Sequence, residues 1–180
     1  MSKQNSKHIL FGKRGVALLL TILLLAGFTA CKNSEPEYIT GNEWLVKQKA
    51  SLTDLDAYTS NMDEVISLYA IGSMSETDFS AELDLLKQQY DILVALREKL
   101  KQENPIKEGS HSYLSKRGTD ALDRYYDTLG EVLNNLTTAD GNPLAPEEMT
   151  YRYMAYQQTL NTCLAEYTTA MVWLEESTNE

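Results

Sequence analysis

The sequence predicts an all-α fold, an antiparallel up-down four-helix bundle, and three observations point to it. Apolar residues recur at alternating steps of three and four through four separate segments. The breaks between the segments carry residues that stop and start helices. Strand-like alternation of apolar and polar residues is absent from residue 42 onward. A 3-4 step averages 3.5 residues, so each seam stays on one face and suits shallow crossing of antiparallel neighbours.

The first seam runs Leu45, Gln48, Leu52, Leu55, Thr59, Met62, Ile66, Tyr69, and Thr40 with Glu43 has the spacing of a capping box at its start. Gly72-Ser73 interrupts it. The second seam is Phe79, Leu83, Leu86, Tyr90, Leu93, Arg97, Leu100, with Ser75 and Asp78 placed to cap it. Asn104-Pro105 ends that segment, because the residue before proline avoids the helical region. Leu122, Tyr125, Leu129, Val132 and Leu136 form the third seam, whose helix starts at Ser112 or, if Gly118 breaks it, at Thr119. Asp140-Gly141-Asn142-Pro143 reads as a turn. Pro146 with Glu147 and Glu148 then opens the fourth helix, carboxylates at its positive end. Its seam is Met149, Tyr153, Tyr156, Leu160, Cys163, Tyr167, Ala170, Leu174. Segments of this length make a bundle about 40 Å long at 1.5 Å per residue. A three-helix bundle with the first segment used elsewhere is the alternative.

The domain spans residues 42–180, and what precedes it is different. Lys3, Lys7, Lys13 and Arg14 come before an apolar run from Val16 to Phe28, and no acidic residue occurs before Glu35. A basic start, a short apolar run and then small residues is the layout of a secretory signal. The run falls short of the roughly 20 apolar residues that a membrane-spanning helix needs. The stretch Leu25-Ala26-Gly27-Phe28-Thr29-Ala30-Cys31 resembles a bacterial lipoprotein signal, with Thr29 and Ala30 at the small positions of the lipobox and Cys31 at its obligatory cysteine. Phe28 departs from the usual Leu or Val. The resemblance covers residues 1–31 only, and it implies removal of residues 1–30, a diacylglyceryl thioether on Cys31, and a chain held on the extracytoplasmic face of a cell membrane. Lys32 lacks the Asp that, by the same resemblance, would retain a lipoprotein in an inner membrane. Residues 31–41 then read as a tether, ~17 Å in root-mean-square span.

Composition narrows the function. The whole chain has 16 Lys and Arg against 26 Asp and Glu, a formal charge of -10. Without residues 1–30 it carries 12 against 26, a formal charge of -14. Nucleic-acid binding needs clustered positive charge, so no nucleic-acid partner is expected. His111 is the single His beyond residue 30, too little for the paired Glu-x-x-His motifs of a bundle di-iron site. Cys163 falls in an apolar seam and reads as a small buried hydrophobe. Asp140 does not start a calcium loop, because the twelfth position from it is Tyr151 where an EF-hand needs Glu. No Walker A, G-x-S-x-G or H-E-x-x-H pattern occurs. The expectation is therefore no catalytic, cofactor or metal residues, and no enzyme.

Tyrosine is the unusual signal, with all 11 beyond residue 30. A helix cannot point Tyr125 and Tyr126, or Tyr151 and Tyr153, in one direction, so some rings belong at the rim or outside. Tyr126 and Tyr151 are accordingly expected on one exposed partner surface, since tyrosine offers contact area at low entropy loss. The function so read is a monomeric, non-enzymatic interaction module, anchored to membrane lipid through Cys31, for an envelope, secretion or surface protein. The alternative is a small-ligand module, with Arg97, Tyr90 and Tyr153 lining an internal pocket.

Overall fold

The computed structural model describes residues 41–103 and 110–178. The capping box at Thr40, the stop at Asn104-Pro105, the leader, the lipobox and the tether lie outside them. Among the described residues there are four helices: α1 (Gly41–Ala70), α2 (Glu76–Glu103), α3 (Ser110–Asn135) and α4 (Pro146–Thr178). It is an all-α four-helix bundle, and α1 is a full member, which removes the three-helix alternative.

Cross-helix bonds fix the direction of each neighbour. Tyr58 Oη at the middle of α1 donates to Leu86 O on α2 (3.2 Å), while Gln48 near the start of α1 meets Arg97 near the end of α2. Tyr90 Oη donates to Tyr126 O (2.9 Å), joining α2 to α3. Asn135 at the end of α3 meets Tyr156 early in α4, and Lys49 in α1 meets Glu175 at the end of α4. Every adjacent pair is antiparallel, and α3 with α4 makes the most extensive contact.

The four seams supply the core. Tyr58, Met62, Phe79, Leu86, Leu129, Met149 and Leu174 are all but sealed from solvent. Gln48 and Arg97 are buried among them. Between α1 and α2 the chain reverses through Gly72, whose φ of 71° a residue with a Cβ rarely adopts. Ser73 N reaches back to Leu68 O (2.9 Å) and Gly72 N to Tyr69 O (3.0 Å), which satisfies carbonyls at the helix end. Ser75 Oγ then accepts from Asp78 N (3.1 Å) and starts α2. Between α3 and α4, Gly141 takes a φ of 82° in the turn, Leu144 N returns to Leu136 O (3.0 Å), and both leucines are buried. Tyr69 Oη reaches Leu144 O (3.1 Å) and its ring stacks on Phe79, so one cluster closes this end of the bundle.

α3 runs unbroken through Gly118. A Cβ there would lie 2.5 Å from the terminal methyl of Met171, whereas at Gly130 it would lie 2.6 Å from Tyr90 Oη and 3.1 Å from its ring carbon Cζ. A methionine methyl swings aside easily, but a hydrogen-bonded ring does not. Gly118→Ala is therefore expected to raise stability by up to about 1 kcal/mol through helix propensity. Gly130→Ala should lower it by about 1 kcal/mol, since displacing Tyr90 breaks its bond to Tyr126. Urea midpoints of the two variants should move in opposite directions.

Candidate functional site

Two places carry the polar and aromatic residues that the sequence singles out: a buried layer around Arg97 and the outward face of α4. The layer forms because Arg97 holds a seam position and is only 3% exposed. Such a guanidinium must be paired, because a buried unpaired charge is strongly unfavourable. Its Nε donates to Asp123 Oδ1 (3.2 Å), Nη1 to the buried Gln48 Oε1 (3.0 Å), and Nη2 makes a longer contact with Thr119 O (3.5 Å). Asp123 also receives Lys101 Nζ (3.0 Å), whose pKa is raised, chiefly by its hydrogen bond to Glu98 and further by Asp123. Arg97 is thus tied to α1 and α3 by its own fold.

The three polar groups of the ligand reading are engaged within the protein. Tyr90 spends its hydroxyl on Tyr126 O, Tyr153 donates to Asp63, and Arg97 is engaged as above. Tyr90 and Arg97 are engaged around Tyr126, whereas Tyr153 is engaged with Asp63. Removing the guanidinium should accordingly act on stability. Arg97→Ala is expected to lower it by about 3 kcal/mol, at the low end for a broken buried pair because Asp123 is partly solvated. Replacing both buried partners, Arg97→Met with Gln48→Leu, should bring the urea midpoint back close to that of the parent.

The expected Tyr126–Tyr151 surface is corrected by the structure. Tyr126 is 5% exposed while Tyr151 is 78% exposed. Tyr125 is buried as well, because α3 is flanked closely enough that two adjacent positions both find neighbours. Tyr125 reaches Thr59 on α1, and Tyr126 lies among Ser51, Tyr90 and Arg97. Burial raises the pKa of both phenols. Tyr151 and Tyr153 do diverge as the helix requires, one outside and one in the core.

The residue the sequence reading placed correctly on the surface, Tyr151, opens a pattern it missed. From Tyr151 a second ladder runs along α4 opposite the core seam: Tyr151, Ala155, Gln158, Thr162, Ala165, Thr169, Trp173. Every one of these is exposed, and so are Met154 and Val172 beside them. None is charged. The two charged side chains between Tyr151 and Trp173 are at the edges and are paired, Arg152 with Glu148 (2.6 Å) and Glu166 with Arg124 of α3. Arg117 of α3 lies over the Trp173 ring, 5.3 Å from its centroid. A shallow open trough follows the ladder from Met154 to Thr169, with Arg117 and Glu166 at its rim. The outward face of α2 is charged along its length (Asp84, Asp91, Glu98), and the shorter uncharged row of α1 (Val46, Ala50, Thr53, Ala57, Ser60) ends at Glu64. The signal available in the sequence was an absence: 22 helical steps without a charge on one face.

Cys163 is buried at a core position of α4, and His111 falls within the first turn of α3. Among the described residues no three His, Cys, Asp or Glu side chains converge as a metal site would need, and no helix is long and apolar enough to cross a membrane. Comparison with protein-family models, with curated proteins and with solved structures returns no match.

Proposed function

We propose that this chain is a lipid-anchored, extracytoplasmic lipoprotein whose bundle is a non-enzymatic docking module, and that the outward face of α4 is the docking surface. The observation that carries the reading is the charge-free ladder of α4 on a strongly acidic protein. Exposed apolar groups rimmed by polar ones mark protein contacts, and Tyr151, Met154 and Trp173 are the residue types that such contacts favour. Membrane attachment follows from the lipobox resemblance at Cys31, and the short tether keeps the module within a few tens of ångströms of the lipid.

Two measurements test it. Mass spectrometry of the protein recovered from cells should show an N-terminus at Cys31 bearing a diacylglyceryl group. An unmodified Cys31 or a retained leader refutes the anchor. A photo-crosslinking residue in place of Tyr151 should yield a covalent protein product in intact cells, and the same residue in place of Gln88 on the outward face of α2 should not. No product from Tyr151 refutes the docking surface.

A further inference from the structure

We infer that the end of the bundle at which α1 begins is a lipid-binding end, which seats on anionic headgroups and holds the four helices upright. This rests on the Cys31 anchor and is independent of the α4 docking surface. The first observation is how charge is distributed along the bundle. Gln48 with Arg97, Lys49 with Glu175 and Arg117 with Trp173 set the levels of the helices. By those levels, residues 41–51, 94–103, 110–121 and 168–178 make up one end third. That third holds seven Lys and Arg and six Asp and Glu, a formal +1. The remainder, 52–93 and 122–167, holds three against sixteen, a formal -13. Arg97 is buried, but Lys47, Lys49, Lys101, Lys116 and Arg117 are exposed and Lys99 is half-buried.

The second observation is where the large apolar groups emerge. Of the eight such side chains exposed among the described residues, Val46, Tyr113, Val172 and Trp173 lie in this same third. Tryptophan and tyrosine beside Lys and Arg are the residue types that settle at a membrane–water interface. The third observation is connectivity. The tether of residues 31–40 enters α1 at Gly41, so an acyl chain on Cys31 holds this end, and not the far one, within ~17 Å of the lipid.

Screening decides the orientation. The near-neutral third is about 16 Å deep at 1.5 Å per residue, and the Debye length at physiological salt is about 8 Å. Upright, the acidic remainder starts two Debye lengths from the headgroups and is barely repelled. Lying on its side, or inverted, the bundle brings that acidity against an anionic surface, while its six outward cations lose their lipid partners. The upright bundle also carries Tyr151 about 33 Å beyond Trp173 along α4, clear of the lipid.

Tryptophan quenching by lipid bromine tests this on the acylated full chain in vesicles of brominated phosphatidylcholine with phosphatidylglycerol. Trp173 should be quenched, and at least threefold less in brominated phosphatidylcholine alone. Trp173→Phe should remove the effect, because the remaining Trp44 is buried. Adding Tyr151→Trp to Trp173→Phe should not restore it. Lys47→Glu with Lys116→Glu should reduce quenching at least threefold at unchanged helicity, whereas Lys87→Glu with Arg152→Glu, the same change in net charge elsewhere, should not. Equal quenching in both lipids, quenching of Tyr151→Trp to the same degree, or equal effects of the two charge reversals overturns the orientation while the anchor stands. A chain recovered without the acyl group refutes the anchor and the orientation together.

Discussion

Raising the pH beyond about 10 is expected to unfold the bundle in one cooperative step, driven by its buried phenols. Tyr58, Tyr153 and Tyr167 are each held well above the ordinary tyrosine range, in every case mainly by burial. Tyr153 is pushed further by its bond to the Asp63 carboxylate, and Tyr58 by the neighbouring Tyr90 and Asp91. The folded protein keeps these three protons where the unfolded chain releases them, near pH 10. Stability is then fully present below pH 10 and falls as pH rises towards the folded values. The loss is about 1.4 kcal/mol per pH unit for each phenol, hence ~4 kcal/mol per unit for three. Against a total of about 5–15 kcal/mol for a domain, about one to four units suffice. Absorbance at 295 nm from phenolate should rise in the same step as helical ellipticity is lost. Ionisation of all the tyrosines with the helices intact would refute it. Tyr167→Phe should shift the midpoint upward, because its buried hydroxyl has no partner in the protein.

Leu160→Asp is expected to abolish the fold outright. Leu160 lies at the middle of the α4 seam and is buried. The substitution forfeits about 1.5–3 kcal/mol of apolar burial and places in its stead a carboxylate without a partner, at several kcal/mol more. The sum reaches the whole stability of an ordinary domain. Circular dichroism of the variant should show the loss of helix, while Thr159→Asp, one position away and exposed, should leave the spectrum unchanged.

The comparison of these neighbours shows what was legible in the sequence. Four seams, two turns and the cap at Ser75 follow from spacing and from the chemistry of Gly, Pro and Ser, and these local rules acted without competition. Tyr126 was misplaced because a 3-4 ladder describes one line on a helix, while α3 is enclosed across an arc wide enough to bury Tyr125 and Tyr126 together. The depth of Arg97 could not be read either. A seam position states that a residue faces inward, but whether its charge is paired depends on Gln48 and Asp123, 49 and 26 positions away. The α4 surface was hidden for the opposite reason. Threonine, alanine and glutamine are unremarkable singly, and only the three-dimensional burial of Met149, Leu160 and Tyr167 shows which of their neighbours form the second ladder.

The closure between α3 and α4 has a kinetic consequence. Contacts between segments adjacent in sequence require little loop-closure entropy, and here a short turn with Leu136 and Leu144 already buried joins the two helices that touch most. The α3–α4 hairpin is thus the natural nucleus of folding, and α1 and α2 condense onto it afterwards, with Tyr69 closing over Leu144. In a chain emerging from synthesis in order, α1 and α2 are made first but must wait for the last third of the sequence. A chain truncated before Pro146 lacks α4 and half of that nucleus, and its exposed seams become substrates for chaperones and proteases.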